Sequence, residues 1–261
     1  MQKSPLSFPQ QYQQVTYQFD TRNQPCAIEI SLQSNSGKRN IFVVGYDTQN
    51  NDPYFRRICE LDPGQRHTFY FGMPISPKQL KVQVFDQDNR LFSQANTFQI
   101  SEPKVVQLRT SNVQMTQQDA DFLKFAEYLA VNMPTLKTGM DYVLDNKFQI
   151  QLFNDLDTST PARIHSAHNY IQVSKVDFLK MTIPRRIIIL LHEYAHNYIN
   201  DDPNNESEAD LNALTIYLSS GYPFMESIYA FTKIFHNNDQ SYERLEWMKE
   251  FMMKHQLYID K

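Results

Sequence analysis

The sequence predicts an α+β fold: an all-β sandwich of immunoglobulin-like size followed by a mainly helical domain with a small sheet. Three observations predict it. Seven short apolar segments, several alternating with period two, fall between residues 15 and 109. After Leu108 the apolar period changes to that of helices. Strands first and helices later place the two in separate domains, residues 15–109 and 110–261, behind a flexible, polar, Gln-rich arm at 1–14.

The strands follow in order. Val15, Tyr17 and Phe19 alternate, as do Cys26, Ile28, Ile30 and Leu32, and Asn35-Ser36-Gly37-Lys38 makes a hairpin turn into the apolar run Ile41–Tyr46. Further strands are expected at His67–Phe71, Leu80–Phe85, Leu91–Ile100 and Val105–Leu108, with a turn at Asp86-Gln87-Asp88-Asn89. Thr116 and Asp119 form a capping-box pattern that opens a helix running to Pro134. Strands at Phe148–Phe153 and Ile164–Val173 come next. Pro184 suits the first turn of a helix ending near Asn200. Helices then run from Glu206 to Ser220, stopped by Gly221, from Pro223 onward, and from Ser241 to His255.

Composition narrows the function. A hydrophobic fraction of 41% with 13% aromatic residues fits a folded globular chain. A net charge of -4 and no Lys/Arg cluster argue against a nucleic-acid partner. The longest aliphatic run, Ile187–Leu191, is too short to span a bilayer and the first twenty residues do not read as a secretory signal, so the expectation is a cytoplasmic protein without membrane contact. Cys26 and Cys59 sit in no metal or redox spacing and read as free core thiols. With only six glycines, many turns must use Asn or Asp in left-handed conformations.

The chemistry concentrates in His192-Glu193-Tyr194-Ala195-His196. On a helix, histidines four apart share a face, which suits one metal ion, while Ile188, Leu191, Ala195 and Ile199 form the opposing stripe. Given this chain's His and Glu content, an HExxH arises by chance on the order of 0.01 times per such sequence. Glu193 lies beside that face, at the position of a general base for an attacking water. A catalytic zinc takes three protein ligands and leaves one position open. Glu206 and Asp210, again four apart, offer the third ligand and an acceptor for the distal nitrogen of a ligand histidine; Glu208 points off that face.

These residues resemble the gluzincin metallopeptidases, whose HExxH is followed by ExxxD on a second helix. Here the second motif takes the form Glu206-Ser207-Glu208-Ala209-Asp210. The resemblance spans roughly residues 160–220. It implies a zincin-like C-terminal domain holding one Zn2+ on His192, His196 and Glu206, with Glu193 as catalytic base and Asp210 behind the ligands. It also implies a peptide or protein substrate. The segment Ile164–Val173 resembles the edge strand bordering the zincin cleft, where main-chain groups near Ala167 and His168 would hold an extended peptide. An oxyanion donor is expected among Tyr198, His168 and His236.

Blander readings stand beside these. Two histidines on a helix surface can be solvent-facing, acidic residues favour helix N-termini for dipole reasons, and Met248, Met252 and Met253 read as helix packing. The rival functional class is a structural or interaction component of a larger assembly, such as a phage particle, that keeps a zincin-like domain and assembles through the sandwich or the arm.

Overall fold

The computed structural model describes residues 14–35, 37–86, 97–111, 115–156, 160–165, 170–234 and 239–259. The N-terminal half carries two antiparallel sheets. One contains β1 (Gln14–Asp20), β6 (Gln79–Asp86), β3 (Arg39–Asp47) and β4 (Pro53–Leu61), in that spatial order. The other contains β5 (Arg66–Met73), β2 (Cys26–Ser34) and β7 (Phe98–Ile100), with β8 (Lys104–Val106) also paired to β2. Alternation sends Ile28, Ile30 and Leu32 of β2 inward against Ile41 and Val43 of β3 and Leu80, Val82 and Val84 of β6, all fully buried.

One inward position on β3 is a glycine. A side chain on Gly45 would collide with the ring of its cross-strand partner Phe55, which covers the site and stacks on Phe71 of the facing sheet at 4.4 Å. The two sheets are thus joined through an aromatic pair seated over a missing side chain. Cys26 and Cys59 are buried free thiols, and burial pushes the Cys59 thiol up to about 12.

Strand β4 is absent from the expected set because Pro53 opens it and Arg57 interrupts its inward apolar series. Of the expected strand Leu91–Ile100, β7 covers the end, while residues 87–96 and Ser36 lie outside the described residues. Scarce glycine has the anticipated consequence: Asn23, Asn51, Asp145 and Asn146 all take positive φ.

The second half opens with α1 (Gln117–Asn132), whose capping box forms as expected: the Thr116 hydroxyl accepts from the Asp119 N–H, and the Asp119 side chain accepts from the Thr116 N–H. A four-stranded sheet follows in the order β11 (Ala162–His165), β12 (Tyr170–Ser174), β10 (Phe148–Phe153), β9 (Met140–Leu144). Pairing is parallel only between β10 and β12. The expected single strand Ile164–Val173 is two antiparallel strands, β11 and β12, and residues 166–169 between them are outside the described set. Strand β9 was not anticipated. It joins β10 through Asp145-Asn146, both with positive φ, closed by the Lys147 N–H donating to the Leu144 carbonyl, the geometry of a type I′ turn.

After the short α2 (Lys175–Phe178) comes α3 (Ile183–Tyr198), with Pro184 in its first turn. This helix is not amphipathic in its setting. From Ile183 to Ala195 all but Arg185 are buried, so the expected one-sided stripe is instead a central helix enclosed on most sides. Tyr194 stacks on Phe122 of α1 at 4.1 Å and donates its hydroxyl to Asp119. Then follow α4 (Glu206–Ser219), ended by Gly221 at φ 89°, α5 (Phe224–Ile234) and α6 (Asp239–Ile259).

Polar groups join the halves. Arg186, fully buried on α3, donates to both oxygens of Asp52 at the start of β4, to the Ala130 carbonyl of α1 and to the Phe178 carbonyl. Glu226 of α5 accepts from the Arg56 N–H of β4, the Thr182 hydroxyl and Arg185 Nε. Backbone meets backbone nearby: a side chain on Gly72 would strike the Gly221 carbonyl oxygen, and one on Gly221 would strike the Arg109 carbonyl oxygen.

Candidate metal centre

His192 and His196 project from one face of α3, and Glu206 enters from the first turn of α4. Asn205 caps that helix, its side chain accepting from the Glu208 N–H. The connection between the helices is short but well tied. Asn200 donates to the Asn205 carbonyl and accepts from Asn212 of α4, while the Glu208 carboxylate takes the Asp201 N–H. Glu208 therefore serves the loop, consistent with its pointing off the histidine face.

Three ligand atoms converge. The Nε2 atoms of His192 and His196 are 3.1 Å apart, with their rings nearly perpendicular at 88°. Glu206 places Oε2 at 3.4 Å from His192 Nε2 and Oε1 at 3.5 Å from His196 Nε2. These groups can hold a metal ion, since one ligand atom from each lies within 4.8 Å of the others.

The far ring nitrogens explain the orientation. Nδ1 of His196 lies 2.8 Å from the Pro203 carbonyl, an acceptor, so it carries the proton and leaves the Nε2 lone pair free. Nδ1 of His192 is 3.0 Å from Asp210 Oδ1, close but out of line for a hydrogen bond. The arrangement makes Asp210 a fully buried carboxylate held behind His192, as the ExxxD spacing suggests.

Electrostatics follow the crowding of carboxylates and imidazoles. Burial opposes a charge on His192, but the Asp210 and Glu206 carboxylates outweigh it and raise its pKa to about 10. Hydrogen bonding to His192 and then His196 holds Glu206 well below the usual carboxylate range, although its side chain is half exposed. Burial pushes the Glu193 carboxyl up, against the pull of both imidazoles and of the Ile164 N–H. β11, an edge strand of the small sheet, lies beside α3.

Arg244 of α6 was missed in the sequence. Its Nε donates to Asp210 at 2.8 Å and its terminal nitrogen to Glu206 at 3.0 Å, so one guanidinium spans both acidic residues of the second motif. The only available signal was chemical: two carboxylates packed beside each other call for a cation.

Other expected site residues fare differently. Tyr198 follows His196 by two positions, which turns it to the other side of α3; there it stacks on Tyr194 and donates its hydroxyl to the Lys147 carbonyl. Its hydroxyl is thus engaged away from the histidine face. Ala167, His168 and His236 lie outside the described residues. Among the described residues no helix is long and apolar enough to cross a membrane.

No family model matches the sequence, and no curated protein matches it either. Among solved structures, a carbohydrate-binding module titled "CBM4 structure and function" is 15% identical with a TM-score of 0.27, covering 36% of this chain and 59% of that one. Two infectious bursal disease virus structures are also similar. The Gx strain gives 9% identity, a TM-score of 0.23 and coverage of 38% and 27%; the Gt strain gives 10%, 0.18, 36% and 29%. The chain thus spans less than two thirds of each of these proteins, and at such TM-scores the likeness carries no argument about fold or function.

Proposed function

We propose that this chain is a zinc-dependent peptidase of the gluzincin kind. The observation that carries the reading is the mutual spacing of the donor atoms. Ligands around a tetrahedral zinc at bond lengths of about 2.0–2.2 Å stand about 3.3–3.6 Å apart; here the two Nε2 atoms are 3.1 Å apart, and each has one oxygen of Glu206 beside it, Oε2 at 3.4 Å from His192 and Oε1 at 3.5 Å from His196. Two imidazoles and one carboxylate also leave a fourth position for catalysis rather than closing the site.

His192, His196 and Glu206 would hold the ion, which when bound supplies Lewis acidity to a water and to the scissile carbonyl. Glu193 takes the proton from the attacking water and returns it to the leaving amine. Its buried setting raises its affinity for that proton, as a shuttle between the two requires. Strand β11 offers an edge on which an extended peptide can pair, next to the helix that carries the base. The Pro203 carbonyl orients the His196 ring by a hydrogen bond, and the Asp210 carboxylate stands 3.0 Å behind His192.

The test is metal content by mass spectrometry together with hydrolysis of a diverse peptide library. Wild type and Glu193→Gln should both retain about one zinc, while the variant loses about 10²–10⁴-fold in turnover. Zinc-loaded wild type that cleaves nothing in the library would sink the proposal.

A further inference from the structure

A second site lies away from the histidines, at the open side of the sandwich. The inward face of β5 presents Phe71, Phe69 and His67, the cross-strand partners of Ile28, Ile30 and Leu32. The inward series of the facing edge strand β4 is Phe55, Arg57, Cys59 and Leu61. Each edge strand therefore breaks its apolar alternation with one basic side chain, where a sandwich ordinarily continues its core.

Neither is spent on the fold. The Arg57 guanidinium lies over the Phe69 ring at 5.1 Å, with no hydrogen bond or ion pair among the described residues. His67 also stacks beside Phe69, and its Nε2 is buried with no hydrogen-bond partner among the described residues. Both face a cavity of about 510 Å³, walled by Phe55, Phe69 and Phe71 of the sandwich and by Leu218, Tyr222 and Phe224 of the helical half. That volume is in the range of small-molecule sites. Two carboxylates also line it. Glu226 has both oxygens engaged by Arg56, Thr182 and Arg185, and Glu29 comes from the outward face of β2, opposite Tyr70.

We propose that this cavity binds a small monocarboxylate with an apolar body. Arg57 takes the carboxylate, and the aromatic walls cover the body. A guanidinium held over a ring without a hydrogen-bond partner keeps its donors available for a two-pronged contact, which a carboxylate matches.

Calorimetric titration of the full chain with octanoate and 4-phenylbutyrate tests this, with 1-octanol and 4-phenylbutanol as uncharged bodies and acetate as the bare charge. The two acids should bind at least about tenfold more tightly than either alcohol or acetate. Arg57→Met should lose about tenfold or more. Chelator treatment and Glu193→Gln should leave acid binding unchanged, which separates this cavity from the metal centre. Equal binding of acids and alcohols, no acid binding at millimolar concentration, or unaltered binding by folded Arg57→Met overturns the proposal. Should that variant fail to fold, amide shift mapping on wild type decides. Shifts centred on Arg57, His67 and Phe69 support the site, and shifts centred elsewhere overturn it.

Discussion

The guanidinium of Arg186 and the carboxylate of Asp52 meet at 2.7 and 3.2 Å, across 134 residues of sequence, where the helical half adjoins the sandwich. Arg186 is fully buried and Asp52 nearly so. Removing one partner leaves the other charged and without water, at a cost of about 3–5 kcal/mol. Arg186→Ala should therefore lose that much in urea unfolding, with sandwich and helices still melting together. Separate transitions for the two halves in wild type would contradict the joint as described.

Metal binding should release a proton. With its pKa raised to about 10 by Asp210 and Glu206, His192 is protonated at neutral pH in chelator-stripped protein, and a ligand imidazole must be neutral. Zinc titrations in buffers of different ionisation enthalpy should show this release, and affinity should weaken as pH falls. The same shift fixes the sign for the stripped protein. The group's stabilising contribution is complete below its unfolded value near 6.5 and is lost as pH rises through about 10. Stripped protein should thus become less stable between those limits, and zinc should remove the trend.

Arg244 neutralises two carboxylates that the metal would otherwise face alone. Arg244→Ala should lower the melting temperature of stripped protein while enlarging the rise that zinc produces, because Glu206 loses a competing cation. A smaller zinc-induced rise than in wild type would show that Arg244 positions Glu206 for the ion.

Tyr198 provides a control on the oxyanion. With its hydroxyl donating to Lys147 on the far side of α3, Tyr198→Phe should reduce turnover by far less than the roughly 10²-fold that a lost oxyanion donor costs. A loss of that size in kcat would restore Tyr198 to the site.

Gly45→Ala tests the aromatic seat. The added methyl meets the Phe55 ring, so overpacking should cost about 1–3 kcal/mol, read in denaturant unfolding. Adding Phe55→Leu should recover part of it.

The cluster of His192, His196 and Glu206 was legible because these residues lie on two helices joined by a short loop. Spacings of four then translate directly into a shared face, and the capping residues fix where each helix starts. The position of Tyr198 is legible too, since two residues along a helix is more than half a turn. Arg244 was not, because it reaches Asp210 and Glu206 from 34 and 38 residues away. Strand β4 escaped notice for a different reason: its inward Arg57 makes sense only against a cavity, which alternation cannot reveal. Asp145-Asn146 did carry a hairpin signal for β9, but the exposed, short strand before it supplied no matching apolar pattern.

Gly72 and Gly221 let the main chains of the two halves meet closely, with the Leu108 side chain packed against both. Gly221 also stands in the cavity wall, so the width of the cavity is tied to that joint. Selection there should follow lock-and-key rules, rejecting bulkier acids sharply instead of admitting them at gradually declining affinity.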